Sequence, residues 1–453
     1  MSSRASWARC RSPVEGLIVF PIPSARLVVV AALASVAVLV VPLRHPFGLI
    51  AVDGVLALVA LADGLLSVDP ARIGIDRHLP GALTLGGPAG VITWAITNPS
   101  ARSVHVAIAD DLAPSLRARR RRFRVRLPGQ GWAQESTTVT PERRGQFAPR
   151  ELVVRVDGPL GLASRQRRRD IEGSIRVLPA FRSRAEADLR VERALTIGIR
   201  STRDRGRGTD FDNLRDYTVD DEFRRIDWSA TARAGHAIVR TFRAERNQQV
   251  VILLDAGRQM AAQVVSIPRL EHAMDAAMTL TSVVTRLGDQ CGLVAFDSRV
   301  RTIVAPGRGS PQFVRVVDAV YDLEASLVES DYRAAFAVAA ARFRRRSLFV
   351  VLTELGEEAL VEAMIPALPL LLTRHLVVVA SVSDPQVRSW AMEVPSDTGE
   401  AYRHAAAGAA VEARTATVAH LRRTGAIVVD APPRALAGSV ADAYLGLKAE
   451  GRL

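Results

Sequence analysis

The sequence predicts a three-part chain: an N-terminal transmembrane helical hairpin, an all-β sandwich, and an α/β domain built on a parallel sheet. Three observations carry this. Two long apolar runs lie before residue 70, short alternating segments broken by Gly, Pro and Asn fill the stretch from Ala71 to Pro179, and apolar strand-like runs alternate with helical stretches from Gln249 onward. At 453 residues the chain is too long for one ordinary domain. The expected divisions are a tail over 1–26, the hairpin over 27–69, a sandwich over 70–180, a charged signature region over 181–248 and the α/β domain over 249–453.

From Leu27 the chain reads LVVVAALASVAVLVVPL and meets no charge until Arg44; a second apolar run extends from Phe47 to about Val68 and contains Asp53 and Asp63. A bilayer requires roughly 20 apolar residues per helix. A basic start followed by a short apolar core would also suit a secretory leader. However, the second run follows at once and no small-residue cleavage site separates the two, so a tight hairpin is the better account. Arg4, Arg9, Arg11 and Arg26 precede it, Arg72 and Arg77 follow it, and the turn holds only Arg44. Flanking positive charge therefore predicts an inner-membrane protein with both termini and its soluble domains in the cytoplasm. Asp53 and Asp63 are expected to face the partner helix or lie near an interface rather than to act as functional intramembrane acids.

The net charge of +13 is an arginine charge, since Lys448 is the sole lysine; GC-rich coding favours Arg over Lys in this way, so the charge is discounted as a nucleic-acid signal. Cys10 and Cys291 are far apart, which suggests neither a disulfide framework nor a zinc site. In the β region, Val91–Ile96, Val104–Ile108 and Glu151–Val156 read as strands, with turns at Gly86-Gly87-Pro88 and Asn98-Pro99-Ser100; the even spacing suits a sandwich of immunoglobulin-like size. Arginines cluster at Arg117, Arg119–Arg122, Arg124 and Arg126, and again at Arg165 and Arg167–Arg169. Solvated strand faces are the plain reading. Their position after a membrane hairpin also suits contact with an anionic inner leaflet, where each basic side chain gains roughly 1 kcal/mol. Nucleic acid is not expected as a partner, because aromatics to stack bases are sparse there.

In the C-terminal region Val250–Leu254, Cys291–Phe296, Leu348–Leu352, Leu376–Val382 and Ala426–Val429 read as buried strands. Helices are expected over Arg269–Leu287, Pro311–Tyr321 and Tyr332–Arg342, and from about Glu357, Ala401 and Arg434. Ligands of such sheets sit beyond the carboxyl ends of the strands, where Asp255, Asp297, Thr353-Glu354 and Ser383-Asp384 fall. A strand ending in Asp255 resembles the von Willebrand factor A (Rossmann-type) fold, in which an Asp-x-Ser-x-Ser turn, a distant Thr and a further Asp hold Mg²⁺ through hard oxygen ligands. Here Gly257 and Gln259 occupy the two Ser positions, Arg258 adds a positive charge, and Glu354 stands for the later Asp. No metal is therefore expected, and Asp255 is a degenerate metal position.

Residues 200–245 read RSTRDRGRGTDFDNLRDYTVDDEFRRIDWSATARAGHAIVRTFRAE. Asp210, Asp212, Asp216, Asp220, Asp221, Glu222 and Asp227 invite a metal-dependent hydrolase reading. Arg207, Arg215, Arg224, Arg225 and Arg233 are interleaved with them, so a buried or semi-buried ion-pair network is the stronger expectation. The run Gly206-x-Gly208-x-x-Phe211, Leu214-Arg215-x-Tyr217, Asp220-Asp221, Arg225-Ile226-Asp227-Trp228, Ala232-Arg233 and Glu245 resembles the hallmark of a bacterial family, the domain of unknown function numbered fifty-eight. Arg144-Gly145 and the Gly-Pro-Leu-Gly-Leu element over Gly158–Leu162 match in order, although Asp157 precedes Gly158 where Asp-Pro is usual.

That resemblance implies membrane-anchored proteins with a von Willebrand factor A-like domain, similar to partners of MoxR-type AAA+ ATPases, acting as adaptors or in envelope-related assembly without established catalysis. The expected function is accordingly a membrane-anchored interaction or scaffold module, not an enzyme, with no cofactor. Gly206, Gly208, Phe211, Leu214, Arg215, Tyr217, Asp220, Asp221, Arg225, Asp227, Trp228 and Arg233 form its interaction signature. The alternative is a hydrolase using the acidic motif.

Overall fold

The computed structural model describes residues 21–40, 48–204, 210–218, 223, 226–243, 248–356 and 362–453. The chain divides into two compact units between Val177 and Leu178.

The first unit opens with strand β1 (Ile22–Pro23) and two apolar helices, α1 (Ala25–Val40) and α2 (Gly48–Leu66). Among the described residues, one helical stretch, Ile50–Arg72, is long and apolar enough to cross a membrane; the apolar stretch of α1, Ala25–Val36, is shorter. Strands β2 (Gly74–His78), β3 (Ala82–Thr84), β4 (Gly90–Thr97), β5 (Val104–Asp110), β6 (Arg122–Leu127), β7 (Trp132–Val139), β8 (Gly145–Phe147), β9 (Glu151–Asp157), β10 (Ala163–Asp170) and β11 (Ile175–Leu178) follow. They form sheets in the orders β1-β10-β9-β5-β6, β2-β4-β7 and β3-β11-β8. Alternation decides which side chains enter the core. Ile92, Trp94 and Ile96 of β4, Val106 and Ile108 of β5, Val154 and Val156 of β9, and Ile175 and Val177 of β11 all meet in one cluster.

A buried ion pair crosses this core: Arg77 Nη1 donates to Asp110 at 2.8 Å, Trp94 Nε1 donates to its other oxygen at 2.8 Å, and Arg77 Nη2 donates to the Pro149 carbonyl at 2.6 Å. Burial pushes the Asp110 carboxyl up, against the pull of Arg77. The arginine clusters divide by pleat. Arg122, Arg124 and Arg126 are exposed on β6, whereas Arg169 turns inward and donates to the carbonyls of Ile73 and Pro70.

The second unit begins with α3 (Arg184–Asp204), then β12 (Asp210–Asp216), α4 (Trp228–Ala234) and β13 (Ile238–Arg243). Its main elements are β14 (Gln249–Asp255), the small hairpin β15 (Gln263–Val264) and β16 (Ile267–Pro268), α5 (Arg269–Arg286), β17 (Gln290–Phe296), β18 (Val300–Gly307), α6 (Gly309–Val320), α7 (Tyr332–Arg342) and β19 (Leu348–Leu352). It ends with α8 (Pro369–Leu372), β20 (Leu376–Val382), α9 (Pro385–Trp390), α10 (Thr398–Arg423), β21 (Ile427–Ala431) and α11 (Leu436–Ala449). The start near Glu357 expected for one helix lies outside the described residues.

The sheet runs β18-β17-β14-β19-β20-β21 and is parallel throughout except for β18, which pairs antiparallel with β17. Its central strand is buried on both faces. Val250, Ile252 and Leu254 enter one core with residues of α3, α5, α6 and α11, while Val251 and Leu253 enter a second with residues of α7 and α8 and with Leu421 of α10. This is the alternating strand-and-helix architecture read from the sequence, with an edge strand and a leading helix that the reading lacked.

Candidate functional site

The carboxyl ends of β14, β17 and β19 bring three carboxylates to one edge of the sheet, and each is closed by its own partners. Asp255 ends the central strand and is 1% exposed. Its Oδ1 accepts from the Gly257 amide at 2.8 Å and from Ser330 Oγ at 2.5 Å. Its Oδ2 accepts from the Tyr332 hydroxyl at 2.7 Å and Thr353 Oγ1 at 2.6 Å. An ionised carboxylate offers about four acceptor sites, and four donors occupy them. Burial and the adjacent Asp255 charge push the Tyr332 hydroxyl well above its ordinary range, so it stays a proton donor.

Asp297, one residue beyond β17, is buried as well. Although burial acts upward, the Ser326 hydroxyl at 2.7 Å, the Arg299 amide at 3.1 Å and Arg301 at 3.0 Å hold its carboxyl below the usual range. Glu354, 2% exposed, lies between two arginines. Arg414 Nη1 donates to one oxygen, and Arg269 Nε approaches the other at 3.1 Å as an ion pair outside hydrogen-bonding alignment. Arg414 also donates through Nε to Asp430 at 3.0 Å. Those carboxylates outweigh burial and raise its pKa.

Two features of the surrounding residues do not suit a resident divalent ion at Asp255. Gly257, at the first of the expected Ser positions, has no room for a side chain, since an added Cβ would lie 2.0 Å from Ser330 Oγ. Glu354, at the later acidic position, is committed to two guanidinium groups.

The signature region is a hairpin with a short helix. β12 and β13 pair antiparallel, with Phe211 opposite Phe242, Leu214 opposite Arg240, Arg215 opposite Val239 and Asp216 opposite Ile238. Tyr217 extends this pairing, its amide donating to the Ala237 carbonyl at 2.9 Å. Asp227 is the N-cap of α4: its Oδ1 accepts from the amides of Ser229 at 3.0 Å and Ala230 at 3.1 Å. Asp216 faces His236 Nε2 at 2.8 Å, and Arg233 Nε donates to the Ser229 carbonyl at 3.2 Å.

Leu214, Arg215, Asp216, Trp228 and Arg233 are exposed. The expected ion-pair network rests mostly on Arg207, Asp220, Asp221, Glu222, Arg224 and Arg225, which lie outside the described residues. Gly206, Gly208, Asp220, Asp221 and Arg225 fall outside the described residues. Phe223, which the sequence reading passed over, is 67% exposed and meets the 61% exposed Trp228 edge-on, with ring centroids 5.6 Å apart. The reading likewise missed Ser326, Ser330, Tyr332, Arg269 and Arg414. Each comes to the site from a loop or helix distant in sequence, and a hydroxyl or guanidinium carries no periodic signal.

Fold and site together define an α/β unit with a closed acidic edge and a hairpin presenting an exposed aromatic pair. A family model described as "Protein of unknown function DUF58" matches residues 213–424, from within β12 to the end of α10. No curated protein matches the chain. Among solved structures, the chain is similar to the conserved hypothetical protein BatB from Bacteroides thetaiotaomicron, at 17% identity over 43% of this chain and 98% of that one with a TM-score of 0.27. It is also similar to an aerotolerance-related membrane protein from Bacteroides fragilis, at 15% identity over 43% of this chain and 99% of that one with a TM-score of 0.25. An ASH/PapD-like domain of human CEP192 matches at 15% identity over 25% of this chain and 90% of that one with a TM-score of 0.21.

Proposed function

We propose that this protein belongs to the DUF58 family and is a membrane-anchored interaction module, held by α1 and α2, whose signature hairpin docks a partner protein. The supporting observation is the contrast between the two candidate surfaces. The carboxylates at the sheet edge are saturated from within, whereas Phe223 and Trp228 stand side by side in solvent. Exposed aromatic pairs of this kind supply the anchors of protein interfaces, where truncating a Trp commonly costs 2 kcal/mol or more of binding. The resemblance of the signature motif suggests a MoxR-type AAA+ ATPase as that partner, and the arginines flanking the apolar helices support a cytoplasmic side for the soluble units. Co-purification from native membranes in mild detergent tests this. The expected outcome is that the parent chain retains an ATPase and that the Trp228→Ala/Phe223→Ala variant, with unchanged melting, loses it. Absence of any ATPase from the parent preparation overturns the reading.

A further inference from the structure

The Gly158–Leu162 loop joins the end of β9 to the start of β10, and it is tied to the ends of both apolar helices. Asp63, three residues before the end of α2, is 2% exposed. Its Oδ1 accepts from the Leu160 amide at 2.7 Å, and its Oδ2 accepts from the amides of Leu162 at 2.7 Å and Ala163 at 2.9 Å. Gly158 donates to the Ala163 carbonyl at 2.8 Å and Gly161 to the Gly158 carbonyl at 3.0 Å. At the start of α1, Ser24 donates through its amide to Leu162 O at 2.9 Å and through Oγ to Gly161 O at 2.6 Å. Pro159 has no N–H, so every amide proton from residue 158 to 163 is bonded within the protein.

An irregular loop with all its amides satisfied from within is what a low-dielectric surrounding demands, because lipid offers no water to an orphan N–H. A loop facing water needs no such provision. The side chain at its tip is apolar and open: Leu160 is 60% exposed, comparable to Leu61, Leu65 and Leu66 of α2 at 48%, 68% and 60%. The packing is also exclusive. A Cβ on Gly158 would lie 2.5 Å from the Asp63 carboxyl, and Gly161 adopts φ +69°. Of the two expectations for Asp63, the partner helix or a place near an interface, the first gives way: near the end of α2, its partner is the sandwich loop.

We propose that this loop is a lipid-contacting seat, entering the bilayer beside α2 with Leu160 in the headgroup and upper acyl region of the phospholipid. The inference rests on the anchoring proposed above, since it takes α2 as spanning. The Asp63–Leu160 bond then fixes the depth, because the loop lies where Asp63 lies. The glycines and the carboxylate make a polar crossing point tolerable at that depth, and Leu160 supplies the apolar contact.

The test is spin labelling of the full chain in phosphatidylglycerol/phosphatidylcholine nanodiscs, in a Cys10→Ser background; Cys291 is fully buried and does not label. Labels are placed at Leu160→Cys, at Leu58→Cys on the exposed face of α2, and at Asp170→Cys at the opposite end of β10. Their collisions with oxygen and with a water-soluble nickel chelate are then compared. The expected result is a label at 160 that favours oxygen over nickel several-fold more than the label at 170. If 58 reads lipid while 160 reads water like 170, the seat is overturned and the anchor stands. If 58 also reads water, the anchor itself has failed and the seat with it.

Discussion

Tyr332 donates its hydroxyl to Asp255 across 77 positions of sequence at 2.7 Å, and this bond helps close the acidic edge of the parallel sheet. Both groups are buried, so neither finds water if its partner is removed. Tyr332→Phe keeps the ring packed edge-on against Phe296 and Phe336 but takes one donor from an ionised carboxylate. Hydrogen bonds to charged groups contribute about 1.5–3 kcal/mol. Chemical denaturation should show a loss of that size, with the slope unchanged.

Gly257→Ser installs the hydroxyl that a metal-binding turn would carry, yet the cavity has no space for it. Overpacking of this kind costs about 1–3 kcal/mol. Because the clash is with Ser330 Oγ, Gly257→Ser should cost less in a Ser330→Gly background, which has already lost that donor to Asp255, than it does in the parent. A double-mutant cycle on melting curves checks it: additive penalties would show that the crowding is not between these two positions.

Asp297 gives a pH signature. Its folded carboxyl titrates below the usual range, so the stability it contributes is fully present above the unfolded pKa of about 3.9 and is lost as pH falls through the lower folded value. Asp297→Asn should therefore be less stable than the parent at neutral pH, with the gap narrowing as acid titrates the parent carboxylate. A pH series of denaturation midpoints reads this directly, and a gap constant down to strongly acidic pH would refute it.

Much of the architecture was legible because buried strands leave long apolar runs. Val250–Leu254, Leu348–Leu352 and Leu376–Val382 announced themselves, and each lies in the parallel sheet. β18 did not. As an edge strand it alternates half-buried and exposed positions and carries Arg301 and Pro306, so its apolar content is diluted. α3 was hidden for a related reason: among its described side chains, Ala187 and Val191 enter the core from within a charged stretch, a one-face contact four residues apart. The site was half legible. Strand-end position picked out Asp255, Asp297 and Glu354, but the groups that neutralise them come from Ser326, Ser330, Tyr332, Arg269 and Arg414, whose approach depends on loop paths that periodicity does not encode. Asp63 is the same case, since its three amide donors lie 97 to 100 residues away.

The arginine clasp on Glu354 should be the most sensitive polar element of the second unit. Glu354 joins Arg414 and Arg269, and Arg414 extends the chain to Asp430, Ser381 and the Val382 carbonyl, linking the carboxyl ends of β19 and β20 to β21 through α10. Arg414→Met keeps much of the aliphatic stem but leaves a buried carboxylate held by Arg269 alone. Breaking a buried pair by removing one partner costs about 3–5 kcal/mol. Glu354→Gln in the same background removes the orphaned charge and should restore part of that loss. If Arg414→Met melts like the parent, the carboxylate is reaching water that its burial excludes, and the closed acidic edge on which the non-catalytic reading leans would have to be abandoned.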